Sequence, residues 1–389
     1  MEKKKLYLLT QTYPVAPGED SFIGPEIPYL KENFDITAVP LEKASISPFS
    51  IVKGLAKALL SPLAYREAIS AAKEKKMFLT FLPFSLFMLW RANIYADYLK
   101  KNVFEAEEAI VYCYWYNEIA LGALLLKKYF PEYKFITRCH GYDLYDFRVP
   151  GEYHPYKKFM DEKLDRIVFA CNHAKKYYLD RHGKADSGRY PVHHLGVPPK
   201  ERVICPAGKT LKLLSCSNLL AIKRVDLIVS ALMLIKDFPV EWHIAGSGPE
   251  MEALQNAAKN LPVNVKCHFM GYVPNDEYIS WVKENPVDLF ITTSSTEGGV
   301  PVSLSEMASF GIPCIATDVG GIPEIVTQQN GTLLSSNPTA AEVAQAITDF
   351  YHLSSEERKQ KGDNSYKLWQ NSFNSETNAQ RVVEMLKQI

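Results

Sequence analysis

Along the first half of the chain, short apolar runs alternate with stretches whose apolar positions recur every three or four residues. Runs at 6–13, 36–41, 109–116, 134–140, 166–173 and 191–197 have the length of buried strands. The same pattern predicts a helix over 25–33 and helical structure from about 50 to 100. A polar stretch, 200–209, follows Pro198-Pro199 and reads as a linker, after which the alternation restarts. Here the strand candidates are 212–217, 241–245, 265–270, 288–293, 313–317 and 332–334. Helices between them are expected to begin near Arg224, Pro249, Asn275, Val302, Pro323 and Ala340. Strands separated by helices imply right-handed crossovers and parallel sheets. The chain is therefore expected to be α/β, with two Rossmann-like, doubly wound parallel-sheet domains facing a cleft, 1–199 and 200–370. Ligands in such sheets sit beyond the carboxyl ends of the strands, so chemistry is sought in the loops that follow them.

Length supports two cores, since 389 residues exceed one ordinary domain. With 47% hydrophobic and 23% charged residues the composition is that of a soluble globular protein. Forty-four basic residues balance forty-four acidic ones, so no global field favours nucleic acid and any anion site must be built locally. The seven cysteines (113, 139, 171, 205, 216, 267 and 314) form no C-x-x-C pair, which points to free thiols in a reducing, cytoplasmic setting. No signal peptide is evident after Met1. The apolar stretch 77–90 contains Pro83 and is shorter than a membrane span. It is flanked by Lys73, Lys75, Lys76 and Arg91, and the segment 50–66 is amphipathic and basic. These segments are either core-packed helices with solvated lysines or a peripheral contact with the anionic inner face of the membrane.

Candidate chemistry concentrates after the second-half strands. Lys223 and Arg224 place two cations at a helix start, suited to a diphosphate. Gly246 and Gly248 admit close backbone approach, but Met251 stands where a dinucleotide fingerprint needs its third glycine, so NAD is disfavoured. Gly298, Gly299, Val300, Pro301 and Val302 open a helix whose amides and dipole suit an anion. One turn into that helix, Glu306 can accept both hydroxyls of a ribose, and a buried carboxylate there requires a donor partner. Gly320-Gly321 make a third glycine turn. Three such turns in one domain are expected to reflect a ligand rather than packing.

These residues resemble glycosyltransferase family 4, retaining enzymes of the GT-B fold. The similarity lies in Ser295-Thr-Glu-Gly-Gly-Val-Pro, Ser305-Glu-Met-Ala-Ser-Phe-Gly-Ile-Pro, Ala316-Thr-Asp-Val-Gly-Gly-Ile-Pro-Glu-Ile and the turn Phe269-Met-Gly-Tyr-Val-Pro. In the first half it lies in Tyr13-Pro-Val-Ala-Pro-Gly18 and His140-Gly-Tyr-Asp143. The resemblance implies that Lys223 binds the donor diphosphate, Glu306 the ribose, and Tyr272 and Val273 the base. It also implies that His140 and Glu297 contact the transferred sugar, with Asp143 or the adjacent backbone fixing the His140 ring. Eight residues separate Glu297 from Glu306 where the family usually has seven, which puts Gly298 in the usual glutamate slot. Asn218 occupies the position of the family's phosphate-binding arginine, and Arg224 is expected to compensate. Segment 371–389 is expected to cross back onto the first domain.

The implied reaction is retaining transfer from a nucleotide-sugar, by family habit a UDP-sugar, without cofactor. No D-x-D motif is present to hold a metal. Gly18, Gly24, Arg138 and Tyr142 are candidates for the acceptor, expected to be a saccharide, lipid-linked, in surface polysaccharide synthesis. Rival readings are a nucleotide-sugar epimerase of the same fold and a non-catalytic nucleotide-sugar-binding protein.

Overall fold

A computed structural model describes residues 3–15, 23–43, 46–75, 78–203 and 208–389. The chain divides into two units, residues 1–194 with 378–389, and residues 195–377. Each has its own parallel sheet and its own core.

The first sheet comprises β1 (Lys5–Thr10), β2 (Asp35–Pro40), β3 (Ile110–Cys113), β4 (Lys134–Cys139) and β5 (Arg166–Phe169), in the order β2-β1-β3-β4-β5. Order reverses between β1 and β3, which makes that the switch point where loops diverge and leave room for a ligand. Residues 191–197, expected as a sixth strand, make two isolated bridges instead, Val192 with Phe169 and Val197 with Asn374. Helices in this unit are α1 (Ile27–Asn33), α2 (Pro48–Leu59), α3 (Pro62–Lys75), α4 (Phe78–Asn102), α5 (Glu118–Leu124), α6 (Lys157–Lys163) and α7 (Asn172–His182). On one face, Tyr7, Leu9 and Val111 pack with Leu89, Ala92 and Leu99 of α4. On the other, Leu6, Leu8 and Ile110 pack with Val382, Val383 and Leu386. Those last three residues belong to α14 (Ser375–Lys387).

Helix α2 is unusual in what it turns outward. Its core side carries only Gly54 and Ala58, while Phe49 and Val52 are exposed, as is Leu60 just after it. α4, by contrast, buries Phe81 and Leu89 and continues through Pro83. No helix among the described residues is long and apolar enough to cross a membrane. Lys76 and Met77 lie outside the described residues.

The second sheet holds β6 (Leu211–Cys216), β7 (Val240–Ala245), β8 (Val265–Gly271), β9 (Leu289–Thr292), β10 (Cys314–Thr317) and β11 (Gly331–Leu334), in the order β11-β10-β9-β6-β7-β8. Renumbered within the unit this is the 3-2-1-4-5-6 order of dinucleotide-binding sheets, with its switch point between β6 and β9. The helices are α8 (Val225–Leu232), α9 (Met251–Ala258), α10 (Asn275–Glu284), α11 (Val302–Phe310), α12 (Ala340–Tyr351) and α13 (Ser355–Ser372). The helix expected near Pro323 is a single 3-10 turn, Ile322–Glu324. Trp242, Leu213 and Leu289 fill one side of this sheet, and Leu214, Phe290 and Leu304 the other. Six cysteines among the described residues are free thiols, four of them buried, and Cys205 lies outside the described residues.

Candidate functional site

The loops after β6 and β9 flank the second unit's switch point and are stitched together. Ser295 N–H donates to the Ile222 carbonyl at 2.8 Å, and the Thr293 hydroxyl donates to the Arg224 carbonyl at 2.7 Å. This brings Lys223, on the 3-10 turn Ala221–Lys223, against Glu297, and the two side chains form an ion pair although 74 residues separate them. Both are half-shielded from solvent, so the cation is held at the switch point rather than free in water.

Glu306 sits in α11 and is almost fully buried. Its donor partner is Asn275, the first residue of α10, whose Nδ2 donates to Glu306 Oε1 at 2.8 Å. Burial pushes the Glu306 carboxyl above the usual carboxylate range, and the Asn275 hydrogen bond pulls it back toward ionisation. The same carboxylate, together with burial, pushes the Cys216 thiol up to about 12. Pro301 gives α11 no side-chain cap, which leaves the start of the helix to other acceptors. Beside it, Tyr272 is exposed and Val273 packs half-buried against the core.

Two expectations about this unit meet competing contacts. The Arg224 guanidinium is turned to neighbouring loops. Nε donates to the Thr293 carbonyl at 2.7 Å, Nη1 to Asn337 Oδ1 at 2.7 Å, and Nη2 to the Ser294 and Ser336 carbonyls at 3.1 Å each. All three nitrogens are engaged in bracing the loop after β9 to the loop after β11. The glycines of these turns also meet neighbouring backbone closely. A Cβ on Gly246 would lie 1.9 Å from the Ser217 carbonyl oxygen, and one on Gly248 would lie 2.5 Å from that of Leu219. Gly320, at φ +56°, would place a Cβ 2.3 Å from the Glu297 carbonyl oxygen, and Gly321 N–H donates to the Gly299 carbonyl at 3.2 Å. What approaches these glycines is the neighbouring loop. Gly320 and Gly321 pack against Glu297, Gly299 and Val300, and Gly246 and Gly248 against the loop after β6.

In the first unit, His140 follows β4 and its ring lies beside the loop after β3. Nε2 is 3.1 Å from the Tyr114 carbonyl oxygen, and the ring centroid is 4.5 Å from that of Trp115. Asp143 holds the backbone of this turn rather than the ring. One carboxylate oxygen accepts from His140 N–H and the other from Tyr116 N–H, each at 2.7 Å. Lys157 closes the arrangement from α6. Its buried ammonium donates to the Asp143 carbonyl at 2.5 Å and to that of Tyr116, and burial lowers its pKa to about 8.

Arg138, expected at the acceptor, is completely buried. It pairs with Glu26 and donates to the His193 carbonyl at 2.7 Å, so its charge is spent inside the unit. Tyr142 is exposed and Gly24 lies in a turn, whereas Gly18 falls outside the described residues. Asn275 and Lys157 were not singled out from the sequence. Asn275 carried a signal, a polar amide opening the helix after the Phe269–Pro274 turn, but Lys157 carried none.

Comparison with known proteins places this geometry. Residues 200–368 match the family model described as Glycosyl transferases group 1. N-acetyl-alpha-D-glucosaminyl L-malate synthase of Bacillus anthracis is 28% identical over 242 residues, 59% of this chain and 61% of that protein. An O-antigen biosynthesis glycosyltransferase of Escherichia coli, WclY, is 28% identical over 125 residues, 32% of this chain and 33% of its own length. The matched stretches thus span less than two thirds of these relatives. Anabaena HepE, solved in complex with UDP, is 13% identical with a TM-score of 0.65, covering 99% of this chain and 100% of that one, which is likeness of fold. The chain accordingly has the GT-B fold, and its residues 200–368 are similar to the group 1 glycosyl transferases.

Proposed function

We propose that the protein is a retaining glycosyltransferase of family 4 that moves a sugar from a UDP-sugar to a saccharide acceptor in surface polysaccharide synthesis. The observation that carries this reading is that Lys223, its ion-pair partner Glu297 and the Glu306 carboxylate held by Asn275 all lie on segments that follow β6 and β9, the two strands flanking one switch point, with Asn275 reaching Glu306 from the helix after β8. Lys223 and the start of α11 would take the diphosphate, a cation and helix amides aimed at charge that develops on the leaving group. Glu306, kept in place by Asn275, would accept the ribose hydroxyls, and Tyr272 with Val273 would line the base. UDP as the nucleotide is supported by the UDP complex of HepE, and the polysaccharide role by the name of WclY.

In the reaction the bond from the anomeric carbon to the β-phosphate oxygen breaks, and a bond to the acceptor oxygen forms on the same face. The acceptor's proton passes to the departing phosphate. No metal or further cofactor enters this scheme, because the cation and helix start supply the stabilising charge. Glu297 would contact the transferred sugar once the diphosphate draws Lys223 away. Thermal-shift and calorimetric titration with UDP, GDP, ADP and their sugars test the donor. UDP should stabilise wild type in proportion to the logarithm of its concentration over Kd. Lys223→Ala should weaken UDP roughly 10- to 150-fold, the value of a charge-assisted hydrogen bond. Unchanged affinity in that variant removes Lys223 from the site.

The acceptor is proposed to be lipid-linked, met at the cytoplasmic face of the membrane. Phe49 and Leu60 line a surface groove of about 1110 Å³ and Val52 is exposed on the same helix as Phe49; Lys100, Lys101 and Lys128 border the groove as well, while Lys53 and Lys57 there are paired to Asp97. Co-sedimentation with vesicles containing anionic lipid should fall when Phe49 and Val52 are changed to Ser. Equal sedimentation of the variant, or none by wild type, sinks the membrane contact.

A further inference from the structure

One cluster of ligating side chains lies apart from the loops described above. Glu241 and His243 occupy alternate positions of β7, so both project from the same face, and His268 of β8 stands in register with His243. Glu241 Oε1 is 3.3 Å from His243 Nε2 and 3.3 Å from His268 Nε2, and all three ligand atoms lie within 4.8 Å of one another. Bonds of about 2.0–2.1 Å to a tetrahedral ion put neighbouring ligand atoms roughly 3.3–3.4 Å apart. The two oxygen-to-nitrogen distances are therefore those of a bound ion's coordination edges. The imidazole rings are stacked with centroids 4.7 Å apart, and Trp281 of α10 lies 4.8 Å from His243, restricting that ring. His268 is about half exposed, which leaves an entry path and room for water as a fourth ligand.

We propose that Glu241, His243 and His268 bind a divalent transition-metal ion. Two imidazoles and one carboxylate make a borderline donor set that suits Zn²⁺, Ni²⁺ or Cu²⁺ and not Mg²⁺ or Ca²⁺. Lys212 and Lys266 stand in register on either side of Glu241, and their charge weakens cation binding without closing the site, since neither is ion-paired to Glu241 among the described residues. His243 precedes Gly246 by three residues, about 10 Å of strand, so the ion is separate from Lys223 and Glu306 and takes no part in sugar transfer. Its effect is mechanical. β8 is the edge strand of the sheet, and it leads through the Phe269–Pro274 turn to α10, which carries both Trp281 and Asn275. An ion bridging β7 and β8 staples that edge and stiffens the element that holds Glu306.

The test is isothermal titration of ZnCl₂ into the full chain, free of affinity tags and stripped with chelator, with MgCl₂ as the control. One Zn²⁺ per chain and no heat from Mg²⁺ is the expected result. His268→Ala and Glu241→Gln should each weaken Zn²⁺ at least ~10-fold, since even the loss of an outer partner of a metal ligand costs that much. Zn²⁺ should also raise the Tm of wild type and not that of His268→Ala, a comparison that needs only that the variant melts cooperatively. Absence of saturable Zn²⁺ binding overturns the proposal. So does a Zn²⁺ site retained at full affinity in both variants, which would place the ion on other residues and leave Glu241 as an acceptor for two neutral imidazoles.

Discussion

Replacing Asn275 by Ala isolates the contact that holds the buried Glu306 carboxylate. Glu306 is 6% exposed, and the 2.8 Å bond from Asn275 Nδ2 favours its ionised form. Loss of a hydrogen bond to a charged buried group costs about 1.5–3 kcal/mol. The cost must depend on pH, and its sign follows from proton counting. Burial has already raised the folded-state pKa of Glu306 above its unfolded value, so ionised Glu306 weighs against the folded state at neutral pH. Stability linked to this group therefore grows as pH falls through the folded pKa toward the unfolded value near 4.5. Removing Asn275 raises the folded pKa further, and each added unit costs about 1.4 kcal/mol at pH 7. Below both folded pKa values the carboxyl is neutral in each protein, and the pH-dependent part of the difference disappears. Urea unfolding of wild type and Asn275→Ala, measured in parallel from pH 7.5 down to the lowest pH at which both fold, reads the difference directly, because every other titrating group cancels. A loss of stability that is the same at all pH values, or below about 0.5 kcal/mol at pH 7, refutes the reasoning.

Two further outcomes follow from other parts of the molecule. Arg224→Ala should lose about 1–3 kcal/mol of stability in denaturant unfolding, from four bonds to two loops, while weakening UDP less than Lys223→Ala does. A larger loss of UDP affinity than in Lys223→Ala would return Arg224 to the phosphate. Burial lowers the folded-state pKa of His154 to about 3, and of His182 and His193 to about 4, from an ordinary 6.5. The unfolded chain thus takes these protons first, and stability should be full above pH 6.5 and fall as pH drops toward 4. A Tm that is flat between pH 7 and 5 would contradict this.

Sequence alone determined the element pattern of both sheets. Strand and helix periods are local properties, visible within a window of ten residues, and the restart of alternation after Pro198-Pro199 marked a second core. It also determined where chemistry gathers, because loops after parallel strands are the places a doubly wound sheet leaves open. The placement of Lys223, Glu297 and Glu306 after β6 and β9 was legible on that ground. The failures are of another kind. Residues 191–197 have strand composition, but only isolated bridges form, at Val192 and Val197, and a strand exists only where a neighbour accepts a continuous ladder. Arg138 and Arg224 look in sequence like any cation beside a site. Their partners, Glu26 at a separation of 112 residues and the Ser336–Asn337 loop at 112 and 113, are brought to them only by tertiary folding. The glycines were read as making room for a ligand, and folding adds that adjacent loops also approach them closely. A side chain's charge is written in the sequence, but whether that charge is already spent depends on which distant segment packs against it, and only the folded chain decides that.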